Sequence, residues 1–307
     1  MNLRSNHSPN LRKAAQTVAA IALMLAAAAL TARAQAPTRF TVAMEGATTG
    51  PAVLLLPGLS SSQSVFDAEA KLLAPTYRLY RVQVAGFSGA AARGNANASD
   101  ANPMLPALVT ELHQYITAQK IHPAVIGHSL GGLLGLMLAD AHPEDVQKLL
   151  IVDSLPFYAL VFKSDATVDE IRPQAKAMRD GIVAAPPAAY EAQATQTSAY
   201  LSLTPSAQRL IAASSLSSDR NVMAEAMYED LLTDLRPRLA SIKTPATLLY
   251  PYDAKVAGPD SSKVDALYTG AYATMPNVKI HRIDDSRHFI MYDQPEAFDT
   301  QVQAFLK

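Results

Sequence analysis

The 307-residue chain contains no cysteine and no tryptophan. Without cysteine there are no disulfides, no thiolate nucleophile and no thiolate metal ligand. A chain of this length builds a core large enough to fold without such staples. An excess of one charge is also missing: 26 Lys and Arg stand against 27 Asp and Glu, for a formal net charge of −1. That balance leaves no electrostatic footprint for nucleic acid or for an acidic surface as partner. There is no His-Glu-x-x-His and no Cys/His cluster, so no metal site is expected. No Gly-x-Gly-x-x-Gly follows a strand, so no dinucleotide, and no other cofactor, is implied.

Long apolar runs are confined to the N-terminus. Arg4, Arg12 and Lys13 precede an apolar stretch over residues 18–30, and Thr31-Ala32-Arg33-Ala34-Gln35-Ala36 follows. Small residues at that spacing suit a signal peptidase, so residues 1–36 read as a secretory signal peptide, cleaved after Ala36 or after Ala34. The apolar run is short for a bilayer span, and no cysteine follows to carry a lipid. No stable membrane anchor is expected once the segment is gone, and the expected location is exported, periplasmic or secreted.

What is present after residue 36 is an alternation of strand and helix patterns. Residues 39–45, 52–56, 77–84, 124–126, 149–152, 246–250 and 278–283 read as strands, several as continuous apolar runs typical of strands covered on both faces. Helical periodicity fills 65–73, 105–120, 133–141, 264–271 and 295–305. Between residues 156 and 240 the strands stop, and four helical segments follow one another. The prediction is an α/β fold: a mostly parallel sheet flanked by helices, formed by residues 37–155 and 241–307, with a helical cap inserted over 156–240. In such sheets the site lies at the carboxyl ends of the strands.

One segment carries chemistry. Gly127-His128-Ser129-Leu130-Gly131 stands between the apolar run Ala124-Val125-Ile126 and a helical pattern. Gly-x-Ser-x-Gly between strand and helix is the pattern of a nucleophile elbow, a strained turn that holds a serine hydroxyl clear of the sheet. The helix that follows points its first N–H groups at charge developing during attack.

With this elbow, and with the C-terminal run Asp284-Asp285-Ser286-Arg287-His288-Phe289-Ile290-Met291, the chain resembles the α/β-hydrolase fold superfamily, and its capped, esterase-like serine hydrolases in particular. The resemblance spans nearly all of residues 37–307. It implies a triad in the order serine, acid, histidine. Ser129 is the expected nucleophile and His288, just after the last strand, the expected base. The family places the acid in the loop after strand 246–250, which points to Asp253; Asp260 in the same loop and Asp153 at the end of strand 149–152 remain open. The oxyanion hole is expected from the backbone N–H groups of Leu130 and Leu59, with Pro57 standing where the family commonly has histidine. Phe87, Phe157, Tyr158 and Met291 are the expected walls of an apolar substrate pocket. His128 is expected to be structural. Dehalogenases of this fold use an aspartate nucleophile and commonly a tryptophan at the site, and this chain has Ser129 and no tryptophan.

The reading is therefore an exported serine hydrolase that cleaves a small apolar carboxylic ester through an acyl-enzyme, with a small molecule as its partner. Thioesters, lactones, amides and C–C bonds are neighbouring substrates for the same machinery. The alternative from another class is a ligand-binding protein on the same scaffold with vestigial catalysis.

Overall fold

The protein is represented by a computed structural model that describes residues 36–307. The expected signal peptide lies, all but its last residue, outside the described residues. Seven strands form one sheet: β1 (Phe40–Gly46), β2 (Ala52–Leu56), β3 (Arg78–Val84), β4 (Ala124–His128), β5 (Lys148–Val152), β6 (Ala246–Tyr252) and β7 (Val278–Asp284). Their spatial order is β1-β3-β2-β4-β5-β6-β7. Only β1 runs antiparallel to its neighbour, with Phe40 opposite Val84; the remaining pairs are parallel. Helices α1 (Asp67–Leu73), α2 (Met104–Gln119), α3 (Leu130–Ala141), α8 (Ser262–Ala271) and α9 (Pro295–Leu306) connect or close the strands.

Parallel strands need crossovers, and a crossover helix buries one face on the sheet. Hence β2, β4 and β5 are apolar on both faces. Leu54, Leu56, Val125 and Ile151 pack on one side with Leu105, Leu108, Leu134 and Leu136. Val53, Leu55, Ile126 and Leu150 pack on the other with Phe298 and Val302. The central strands β2, β4 and β5 carry the elbow and the loops that face it, so the site stands on the best-buried part of the molecule.

The insertion between β5 and β6 is helical throughout: α4 (Val168–Ala184), α5 (Pro187–Leu201), α6 (Pro205–Ser217) and α7 (Arg220–Leu232). Sequence signals set its boundaries. Thr167 and Glu170 form a reciprocal capping box at α4, Pro187 and Pro205 each open a helix, and Asp219 caps α7 through the Asn221 and Val222 N–H groups. The insertion is bonded to loops at the carboxyl ends of the strands. Asp219 N–H donates to Gly86 O at 2.8 Å, and Phe289 N–H donates to Leu201 O at 3.1 Å. Asp293 accepts from Ser202 Oγ at 2.6 Å, Leu203 N–H at 2.9 Å and Arg287 N–H at 2.9 Å. Among the described residues, no helix is long and apolar enough to cross a membrane.

Candidate active site

Ser129 links β4 to α3 with φ 53° and ψ −122°, a conformation L residues avoid. The neighbouring glycines explain how the turn closes. A Cβ on Gly127 would stand 2.2 Å from Gly131 O, and one on Gly131 would stand 2.1 Å from Leu56 O. Neither glycine has a positive φ; both are required by close approach. The strain is held by Ser129 itself, and the Ser129 N–H is pinned to Val152 O at 2.8 Å.

His288 follows β7 in the loop before α9. Its Nδ1 lies 2.6 Å from Asp153 Oδ2, with the histidine side chain 24% exposed and the aspartate 9%. A carboxylate accepts only, so Nδ1 carries the proton and Nε2 is left with its lone pair. The Ser129 hydroxyl is not hydrogen-bonded to the ring in this state, a contact that commonly tightens only once substrate is bound.

The acid facing the imidazole is therefore Asp153, and the expectation of Asp253 is corrected. Asp253 Oδ2 accepts from Arg287 Nε at 2.8 Å, and its Oδ1 accepts from Lys255 N–H at 3.0 Å as the cap of a short helical turn. Burial opposes its charge, but these bonds hold its carboxyl below the ordinary range. Its partner Arg287 stands one residue before His288 and also donates to Ala199 O at 2.7 Å, tying the histidine loop to α5. Asp260 is exposed and caps Ser262 N–H at 2.9 Å.

Asp153 is itself in the left-handed region, φ 44°. Its Oδ1 accepts a hydrogen bond from the Tyr268 hydroxyl. Tyr272 donates to Ser154 O at 2.9 Å. Both tyrosine hydroxyls are held well above their usual range, first by burial and then by the Asp153 charge. Tyr268 and Tyr272 are four residues apart at the end of α8, one face of one helix. That spacing is visible in the sequence; that the pair would reach the loop after β5 is not.

His128 is completely buried. Its ring lies against His288 at 4.6 Å and against Phe289 at 4.7 Å. Nε2 is 2.9 Å from His288 O. A carbonyl accepts, so the neutral ring donates from Nε2, leaving Nδ1 without a partner. Burial, then the neighbouring His288, pushes its pKa well below the usual value. His128 thus stays uncharged and fixes the backbone of the histidine loop, a positioning role beyond the structural one expected.

Leu130 N–H opens α3, where the first amides lack intrahelical partners. The Leu59 N–H has no backbone partner among the described residues. Gly58 brings this loop onto the elbow: a Cβ there would sit 3.1 Å from Ser129 Cβ and 3.0 Å from His128 Nδ1. The glycine is needed for that approach, whatever residue precedes it.

A cavity of 430 Å³ opens beside His288; Leu201, Leu210, Ile211 and Phe289 line it together with Ser62, Asp67 and Lys71, and Ser129 is not among its lining residues. The expected pocket residues do not line it. Phe87, Phe157 and Met291 are buried core side chains, and the Arg236 guanidinium lies 4.6 Å over the Phe157 ring. Tyr158 is 39% exposed and packs edge-on to Phe162. Apolar spacing does not distinguish a side chain that packs inward from one that faces a cavity. On α7, burial pushes the Asp230 carboxyl up to about 7.

A parallel sheet of this strand order, with a strained serine after the central strand β4 and an Asp-paired histidine after the last strand, defines the class of α/β proteins built around a nucleophile elbow. The chain belongs to the alpha/beta hydrolase family, whose profile matches residues 53–300. It is 34% identical over 109 residues to a pimeloyl-[acyl-carrier protein] methyl ester esterase of Aeromonas salmonicida, a match covering 36% of this chain and 40% of the relative. It is 30% identical over 122 residues to a fluoroacetate dehalogenase of a Burkholderia species, covering 39% of each. These matches thus span about two fifths of the relatives' lengths. Among solved structures, MenH from S. aureus superposes with a TM-score of 0.69 at 20% identity, covering 88% of this chain and 98% of that one.

Proposed function

We propose that the protein is a serine hydrolase that cleaves a small, predominantly apolar carboxylic ester. The carrying observation is the 2.6 Å contact between His288 Nδ1 and Asp153, which leaves Nε2 as a base in the loop bonded to His128, the residue before the strained Ser129. Ser129 Oγ attacks the ester carbonyl while His288 Nε2 takes its proton, and Asp153 stabilises the imidazolium. The Leu130 and Leu59 N–H groups hold the oxyanion. The imidazolium returns the proton to the leaving alcohol, and water, activated in the same way, releases the acid from Ser129. The 430 Å³ cavity beside His288, lined by both apolar and polar side chains, has room for one acyl or alcohol chain, and helices α4–α7 act as its cap. Ser129 supports acyl transfer over the aspartate-nucleophile chemistry of dehalogenases in this fold. The N-terminal pattern supports export, and N-terminal sequencing of the cell-envelope or secreted protein checks it: a start at Gln35 or Pro37 is expected, and an intact Met1 overturns it.

The test is fluorophosphonate labelling beside turnover of p-nitrophenyl esters of increasing chain length. Ser129→Ala is expected to abolish labelling. His288→Ala and Asp153→Asn are expected to lower kcat by on the order of 10³–10⁴. Asp253→Asn is expected to stay within about tenfold of the parent, since Asp253 meets Arg287 and not the imidazole. A parent protein that neither labels nor turns over any ester overturns the proposal and favours a binding protein on this scaffold.

A further inference from the structure

Far from the elbow, three residues from different parts of the chain converge. His113 is on α2, His142 directly follows α3, and Asp145 ends the turn Pro143–Asp145. The length of α3, roughly 18 Å at 1.5 Å per residue, separates them from Ser129. One ligand atom from each lies within 4.8 Å of the others. His113 Nδ1 is 2.8 Å from Asp145 Oδ2. The two imidazoles stack at 3.8 Å with planes 10° apart, and His142 Nδ1 is 3.7 Å from Glu144 Oε1. Asp145 is 4% exposed, while the histidine side chains are 31% and 29% exposed.

We propose that His113, His142 and Asp145 form a structural site for a zinc-class divalent cation that clamps the far end of α3 to α2. Two imidazole nitrogens and one carboxylate oxygen suit zinc, whereas magnesium and calcium favour all-oxygen shells. Donors on a tetrahedral zinc, each about 2.0–2.2 Å from the metal, stand roughly 3.3–3.5 Å apart. Binding requires the two rings to turn out of their present stack so that their in-plane lone pairs converge on the ion, a movement that their 31% and 29% exposed side chains have room to make. The turn is already closed, with the Asp145 backbone N–H donating to His142 O at 3.0 Å, so it presents both ligands together. Water completes the fourth position. The spacing, His113 to His142 to Asp145, matches no metal motif, because the residues meet only through the packing of α2 on α3.

The test is zinc titration of the untagged protein by calorimetry, with cobalt as an optical probe of tetrahedral coordination. One ion per chain at roughly micromolar affinity is expected, with intense visible cobalt bands and a Tm rise of several degrees. His142→Ala and His113→Gln are each expected to abolish stoichiometric binding while esterase turnover and fluorophosphonate labelling stay unchanged. Absence of saturable binding up to millimolar zinc overturns the proposal. So does binding that survives both substitutions and blocks labelling, which places the ion at His288.

Discussion

Asp153 is held by two partners at once: the His288 Nδ1–H on one oxygen and the Tyr268 hydroxyl on the other. A carboxylate so bonded cannot rotate away from the imidazole, and its charge is shared between two donors. Tyr268→Phe removes one of these bonds and keeps the ring stacked on Tyr250 at 4.5 Å. Hydrogen bonds to charged groups contribute about 1.5–3 kcal/mol, only part of which changes along the reaction. The expected loss is roughly tenfold in kcat with KM nearly constant, read from steady-state ester hydrolysis.

Two glycines in helices illustrate how an element's sequence depends on what surrounds it. Gly131 is in the first turn of α3, where a Cβ would meet Leu56 O at 2.1 Å and Pro57 O at 2.8 Å. Backbone atoms of β2 cannot yield without moving the sheet. Gly131→Ala is expected to destabilise by roughly 3 kcal/mol or more, on the scale of severe overpacking, and to abolish labelling of Ser129. Gly181 is in α4, and an added methyl there would meet nothing within 4 Å. Gly181→Ala is expected to stabilise by about 0.5–1 kcal/mol through helix propensity alone. Denaturant unfolding of the two variants checks both signs. The elements themselves were legible in the sequence because period and caps are local. The strand 52–56 matches β2, and the four helical segments of 156–240 match α4–α7 within a few residues. The helix expected over 65–73 begins instead with a 3-10 turn, Gln63–Phe66, because Ser62 caps Ser64 N–H before α1 starts.

Over the whole molecule, the carboxyls that burial raises furthest, Glu69 and Asp230, bear on how stability depends on pH. Glu69, 1% exposed, has both oxygens without partners and is raised to about 7 by burial and by Asp299. Asp230 is raised to a similar value. A carboxyl whose folded pKa exceeds its unfolded one binds protons more tightly when folded, so its contribution is complete below the unfolded pKa and is lost as pH rises through the folded pKa. These two carboxyls therefore contribute a fall in stability from about pH 5 to 7, while His128, held well below its usual pKa by burial, contributes in the opposite sense. Asp253 and Asp265, held low by hydrogen bonds and ion pairs, act in the opposite sense and lose their contribution only in acid. Glu69→Gln is expected to raise Tm by a few degrees at pH 8 and to change it little at pH 5, as thermal melts at the two values would show.

The sequence by itself determined the sheet-and-helix alternation, the elbow and the histidine of the last loop, because each is written within a dozen neighbouring residues. Gly127, Ser129 and Gly131 state their geometry in their spacing, and His288 follows its strand directly. The acid, the cavity wall and the cluster at His113 were decided by tertiary structure. β5 and β6 are adjacent and parallel, with Val152 opposite Leu249, so Asp153 leaves its strand at the level of Tyr250 and Asp253 leaves the neighbouring strand three residues further along. Local sequence treats them alike. What separates them is that Arg287 folds onto Asp253 while Tyr268, arriving from α8, turns Asp153 toward the ring. Those contacts join residues 34 and 115 positions apart, and only the packed chain brings their charges and hydroxyls within hydrogen-bonding distance.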